Sequence, residues 1–133
     1  MSGIIRTGTI DIRVRYVDCD PMGVVHHSVY PVWLEMGRTE LLRETGTTYR
    51  AVEEAGVFLA IINLSVTYKQ PAHYDDLLQL TTEWLESGRV KICHRYAVHR
   101  NDELLVTAET TLACLDQHGR PQPLPDVLQP HGG

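Results

Sequence analysis

One long stretch of near-3.6 periodicity, from about Ser28 to Gly46, is set in a chain whose other long segments read as strands. Within it Val29, Trp33, Met36 and Leu41 recur near helical spacing, and Glu35, Arg38, Arg43 and Glu44 are expected to face water. Ser28 or a neighbour can cap this helix, Pro31 is tolerable in a first turn whose amides lack intrahelical partners, and Gly46 fits the stop. Gly37 costs about 1 kcal/mol against alanine in a helix interior, so its presence predicts a helix lying close on a sheet.

The alternating segments supply that sheet. Ile10, Ile12, Val14 and Tyr16 alternate with Asp11, Arg13 and Arg15, the period of a half-buried strand. A short helical piece over about Thr48 to Ala55 ends at Gly56, and the β-branched run VFLAIINLSVTY follows, stopping before Pro71. Then come LLQLTTEWLE, RVKICHRYAVHR and ELLVTAETTLACL, punctuated by Asp75-Asp76, Ser87-Gly88 and Asn101-Asp102. One early helix and long antiparallel strands make an α+β pattern, packed most simply as a curved sheet wrapped around one long central helix. Such a sheet leaves edge strands exposed, which predicts edge-to-edge pairing into a homodimer.

At 133 residues the chain is one domain, assigned to residues 1–120, with a tail over 121–133 that holds four of the seven prolines and is expected to be irregular. A net charge of −5 argues against nucleic acid as partner. No apolar run is long enough for a membrane span, and Arg6, Asp11 and Arg13 interrupt any secretory signal, so a cytoplasmic location is expected. Cys19, Cys93 and Cys114 lack CxxC spacing and read as reduced packing thiols; by strand parity Cys19 points inward, opposite to Asp18 and Asp20.

Chemistry concentrates at the junction of the first strand and the helix, YVDCDPMGVVHHSVYPVWLE. Asp20 before Pro21 is a turn starter or a reactive carboxylate; Asp18 reads as a hydrogen-bonding carboxylate that orders the turn. His26 and His27 are adjacent, so their side chains should diverge, and with no HExxH or His-x-His the metal assignment is none. No serine elbow, P-loop or dinucleotide fingerprint is present. Further along, Asn63 lies mid-strand in apolar surroundings, where a buried amide needs partners. Arg89, Lys91 and Arg95 share one strand parity, whereas His94 and His99 have opposite parity and read as surface or sheet histidines.

Asp18, Asp20, Gly23, Val24, Val25, His27, Tyr30, Trp33 and Glu35, in this order, resemble the signature of the 4-hydroxybenzoyl-CoA thioesterase family of hot-dog folds. The stretch VTYKQPAHYDDLLQLTTE is similar to the same family's second strand and proline-alanine break, and the likeness covers about residues 8 to 116. It implies an acyl-CoA thioesterase that releases a free acid and coenzyme A with no cofactor, Asp20 acting as nucleophile or as general base. It implies too that the amide of His27 polarises the carbonyl, that the His27 imidazole helps position water or leaving group, and that Gly23 lets the backbone approach closely. Tyr30 is then a candidate for the acyl tunnel, Asn63 for reaching the acyl or pantetheine arm across a dimer, and Arg89 for the phosphates of coenzyme A. Plain core packing, a cross-strand hydrogen bond and a solvated strand face are the respective alternatives. The family assembles as homodimers, often paired into homotetramers. Two rival functions stay open: an acyl-carrier-protein thioesterase, and a non-catalytic domain that binds acyl thioesters.

Overall fold

A five-stranded antiparallel sheet curves around a single principal helix, seen here in a computed structural model that describes residues 3–129. In chain order the elements are β1 (Ile4–Arg13), α1 (Tyr30–Arg43), α2 (Tyr49–Glu54), β2 (Phe58–Tyr68), β3 (Leu77–Leu85), β4 (Lys91–Arg100) and β5 (Glu103–Leu115). The spatial order is β1-β3-β4-β5-β2, so β1 and β2 are the edges. The hot-dog architecture expected from the sequence is therefore the one observed.

β1 begins earlier and ends sooner than its alternation suggests. It ends at Arg13 because Val14, fully buried, exchanges backbone hydrogen bonds with Asp75 and Asp76 instead of β3. Tyr16 then belongs to a 3₁₀ turn and is exposed.

α1 packs over β1 and β3. Contact is closest at Gly37, where a Cβ would lie 2.5 Å from Thr82 Oγ1 and 2.7 Å from Leu80 Cδ2, so only glycine lets the helix sit at this depth. One apolar cluster gathers Ile12, Trp33, Leu34, Leu78, Leu80 and Val98 under the first half of the helix; a second gathers Leu41, Leu42, Trp84, Ile92, Leu112 and Leu128 under its end. Arg38, expected in water, is buried at 8% exposure. Arg38 shares a face with the buried Leu34 and Leu42 and reaches inward to within 3.5 Å of the Tyr96 hydroxyl.

β2 has the opposite surprise. It alternates like a half-buried strand, yet Ile61, Ile62 and Leu64 are all about half exposed, because β5 flanks it on one side only and α1 lies over the other edge of the sheet. Residues 121–125 form no helix, and a 3₁₀ turn follows at Asp126–Leu128. Residues 121–129 of the expected tail are anchored, and 130–133 lie outside the described residues: Leu124 N donates to Arg89 O at 2.8 Å, and Leu124 and Leu128 are buried. No helix among the described residues is long and apolar enough to cross a membrane.

Candidate active site

The junction after β1 folds into a tight bridge-and-turn. Cys19 bridges Val25, Val24 bridges His73, and Asp20 N donates to Val24 O at 2.9 Å. The reversal is closed by Gly23 N donating to Asp20 O at 2.9 Å, with Gly23 at φ +81. Apart from its chain neighbours, none of the described residues comes within 4 Å of where a Gly23 Cβ would sit, so glycine is required here for its left-handed conformation and leaves open space beside the turn.

Asp20 both shapes this turn and offers a free oxygen. Its Oδ1 accepts from Met22 N at 2.8 Å and Val24 N at 3.4 Å, while no donor among the described residues reaches Oδ2. Fixing one carboxylate oxygen by two amides orients the other. The carboxylate borders a cleft of about 430 Å³ together with Tyr16, Cys19, Pro21, Gly23 and Tyr74. Turn-forming and reactive roles for Asp20 are thus compatible rather than rival.

Asp18 is the structural carboxylate of the pair. It is 2% exposed and accepts from Arg15 N at 2.8 Å and Arg15 Nη2 at 2.9 Å. Burial alone would raise its pKa, but those bonds and the Arg15 charge hold it below the usual carboxylate value. Strand parity had pointed Cys19 inward and Asp18 outward. The 3₁₀ turn over Tyr16–Asp18 breaks that parity: Asp18 is sealed and Cys19 is half-buried.

His27 opens a 3₁₀ turn, His27–Val29, that leads into α1. Its N–H finds no acceptor among the described residues, as befits a first-turn donor, and the positive end of α1 lies behind it. The turn is pinned from both sides: His26 Nδ1 accepts from Ser28 N at 3.2 Å, and the Tyr68 hydroxyl donates to His27 O at 3.0 Å. The rings of His26 and His27 do not diverge; they stack with centroids 4.2 Å apart. His27 lines a separate hollow of about 280 Å³ with Tyr30, Tyr68, Lys69 and Pro71. Within one chain, then, Asp20 and His27 border different cavities. Tyr30 is packed edge-on against Trp33 and Tyr68 at 5.1 and 5.3 Å, and burial pushes its phenol pKa up.

Residues 14–131 match one family. The chain belongs to the thioesterase-like superfamily. It is 33% identical over 119 residues to the acyl-CoA thioester hydrolase YbgC of Escherichia coli O6:H1, covering 88% of this chain and 89% of that one. It is 35% identical over 106 residues to the acyl-CoA thioesterase YbgC of Haemophilus influenzae, covering 79% and 78%. The solved 4-hydroxybenzoyl CoA thioesterase from Pseudomonas sp. strain CBS-3 superposes with a TM-score of 0.83 at 25% identity, covering 92% and 96%. The expectation of a thioester hydrolase holds.

Two candidates lie away from this thioesterase junction. Arg89 is not in β4 but in the bend before it, exposed, at the end of the β1–β3 ladder where Ile4 meets Leu85. Asp20 follows the other end, where Arg13 meets Leu77, roughly 30 Å away at strand rise. Arg95, of the same predicted set, is engaged by Glu83 at 2.7 Å. Asn63 sits on the exposed edge strand opposite Thr111, beside an irregularity at Ile62, and its side chain makes no hydrogen bond among the described residues, so the buried, satisfied amide is corrected. Of the two readings for His94, sheet rather than surface is the one observed: it lies in β4 and is buried.

Sequence reasoning missed the residues that hold the thioesterase junction in place. Asp76 accepts from His73 N at 2.8 Å and Arg100 Nη1 at 2.7 Å, clamping the loop whose Ala72 O accepts from Val25 N. Those bonds hold Asp76 below the usual carboxylate pKa, against the opposing effect of its burial. The cluster of aspartates after Pro71 was a usable signal.

Proposed function

We propose that this protein hydrolyses acyl-CoA thioesters, with Asp20 as the catalytic carboxylate and the His27 amide as the donor that polarises the carbonyl. The observation that carries this reading is the division of labour at Asp20: Oδ1 is consumed by the turn, Oδ2 meets no donor among the described residues, and the residue lines an open cleft. A carboxylate so held either attacks the thioester carbon and expels the CoA thiolate, giving an anhydride that water opens to two carboxylates, or takes a proton from water that attacks directly, the CoA thiolate again leaving. In both, negative charge grows on the carbonyl oxygen, and an unpaired amide backed by a helix dipole is the group suited to receive it.

Because Asp20 and His27 border different hollows in a single chain, the complete site is assigned to a homodimer. The edge strand β2 supports this, with its open backbone edge and exposed Ile61, Ile62 and Leu64. Coenzyme A arrives and leaves as part of the substrate, and no residue need hold a resident cofactor.

The test is release of free thiol from a panel of acyl-CoA thioesters by wild type and Asp20→Asn, after the variant's oligomeric state has been matched. A loss of at least about a hundredfold, about 2.7 kcal/mol on the barrier, is expected. Equal rates would remove Asp20 from the mechanism, and tight binding without release by wild type would favour a binding domain.

A further inference from the structure

Around the junction, Arg15 is taken by Asp18, and Arg100 by Asp76 and Glu103. Lys69 is not so engaged: no carboxylate among the described residues lies within 4.0 Å of its ammonium. Its backbone is nevertheless fixed, since Lys69 N and Gln70 N both donate to Leu105 O, at 2.8 and 3.0 Å. Its chain neighbour Tyr68 holds the His27 carbonyl at 3.0 Å. An unengaged cation is thus anchored one residue from the group that positions the proposed carbonyl donor.

The hollow that Lys69 shares with His27 has walls at Val25, Tyr30, Tyr68 and Pro71, and no carboxylate among the described residues lines it. With the thioester oxygen on the His27 amide, one arm of the carbonyl carbon occupies this hollow, and size decides which. At about 280 Å³ it lies below the roughly 300–1,000 Å³ of pockets for drug-sized ligands, and a rounded volume of this size is about 8 Å across. The pantetheine arm of coenzyme A, extended, runs about 15 Å from its sulfur to the first phosphate, so it outruns the hollow. The hollow is therefore assigned to the acyl group, and to a short one.

Charge then selects what the acyl group carries. A hollow lined by an ammonium and by no carboxylate favours an anion, whereas the cleft beside Asp20 disfavours one. A carboxylate carbon reached through three methylenes lies about 5 Å from the thioester carbonyl, and a charge-assisted bond to an ammonium adds about 2.8 Å, which matches the span of the hollow. The methylenes then lie against Tyr30, Tyr68 and Pro71. We propose that Lys69 recognises a carboxylate at the far end of a short acyl group, making monothioesters of short dicarboxylic acids, of the glutaryl type, the preferred substrates. This rests on the thioesterase reading above.

The experiment compares kcat/KM for glutaryl-CoA and 5-methylhexanoyl-CoA, in which an isopropyl group of like shape replaces the carboxylate, within each variant, so that the readout is a ratio. Wild type should favour the glutaryl thioester by about tenfold, and because Lys69 is exposed the preference should shrink in high salt. The ratio should fall to one or below in Lys69→Met, be largely kept in Lys69→Arg and reverse in Lys69→Glu. A wild-type ratio near or below one, or an unchanged ratio in Lys69→Met, would overturn the proposal. Equal losses for both thioesters in Lys69→Met would overturn it as well, by placing Lys69 on coenzyme A. If wild type cleaves neither thioester, the proposed activity fails separately; calorimetric binding of the same two thioesters to wild type then carries the ratio, and equal affinities would overturn the inference.

Discussion

Gly37→Ala should weaken the fold even though it removes glycine from a helix interior, a change that by itself gains about 1 kcal/mol. The opposing effect is the added methyl, which would meet Thr82 Oγ1 at 2.5 Å and Leu80 Cδ2 at 2.7 Å. Both residues are buried, at 1% and 0% exposure, so neither side chain has solvent to retreat into. Overpacking of this kind costs about 1–3 kcal/mol, and two contacts below 3 Å place this site in the upper part of that range. The net expectation is a loss of about 1–2 kcal/mol, which for 133 residues lowers Tm by about 4–7 °C. Denaturant unfolding at equal protein concentration measures it, completed as a cycle with Thr82→Ala, whose truncation relieves the nearer contact. A coupling energy of about 0.5 kcal/mol or more between the two changes is expected. A Gly37→Ala variant as stable as wild type, or strict additivity in the cycle, would show that helix and sheet are not in close contact here.

Two further expectations concern stability. Leu128→Ala should cost about 2–5 kcal/mol, because Leu128 is buried in the second apolar cluster; a loss near zero in urea unfolding would show that the C-terminal segment does not seal the core. His94 is held neutral in the fold with a pKa of about 3, against 6.5 for the free side chain, so the unfolded chain binds the extra proton between these values. Stability therefore falls as pH drops below about 6.5, with a slope of about 1.4 kcal/mol per unit, and the range from 6.5 to 4.5 lies above the carboxylates Asp18 and Asp76, whose folded values are lowered. His94→Leu should flatten that slope; an unaltered slope would place the titrating group elsewhere.

The sequence made legible whatever is written in local period and turn chemistry. The helix, its glycine at the sheet contact, the strands along the chain and the turn at Asp20 all follow from residues near one another in the chain. Arg38 was misplaced because a charged residue on a helix defaults to water, although the buried Leu34 and Leu42, four residues to either side, share its face. Asn63 was misread for a related reason: β2 has the composition of an interior strand, and only the sheet order reveals it as an edge. Asp18 is sealed rather than outward because three residues of 3₁₀ turn shift strand parity. Arg89 shared a parity with Lys91 and Arg95, but parity carries no information about which end of a sheet a residue occupies.

The hydroxyl of Tyr68 belongs to the edge strand, and the carbonyl it holds belongs to the turn that presents the His27 amide. Local opening of β2 and loosening of that donor are therefore one event. Amide hydrogen exchange should find the two segments losing protection together, and whatever clamps the strand will also sharpen the aim of the helix end.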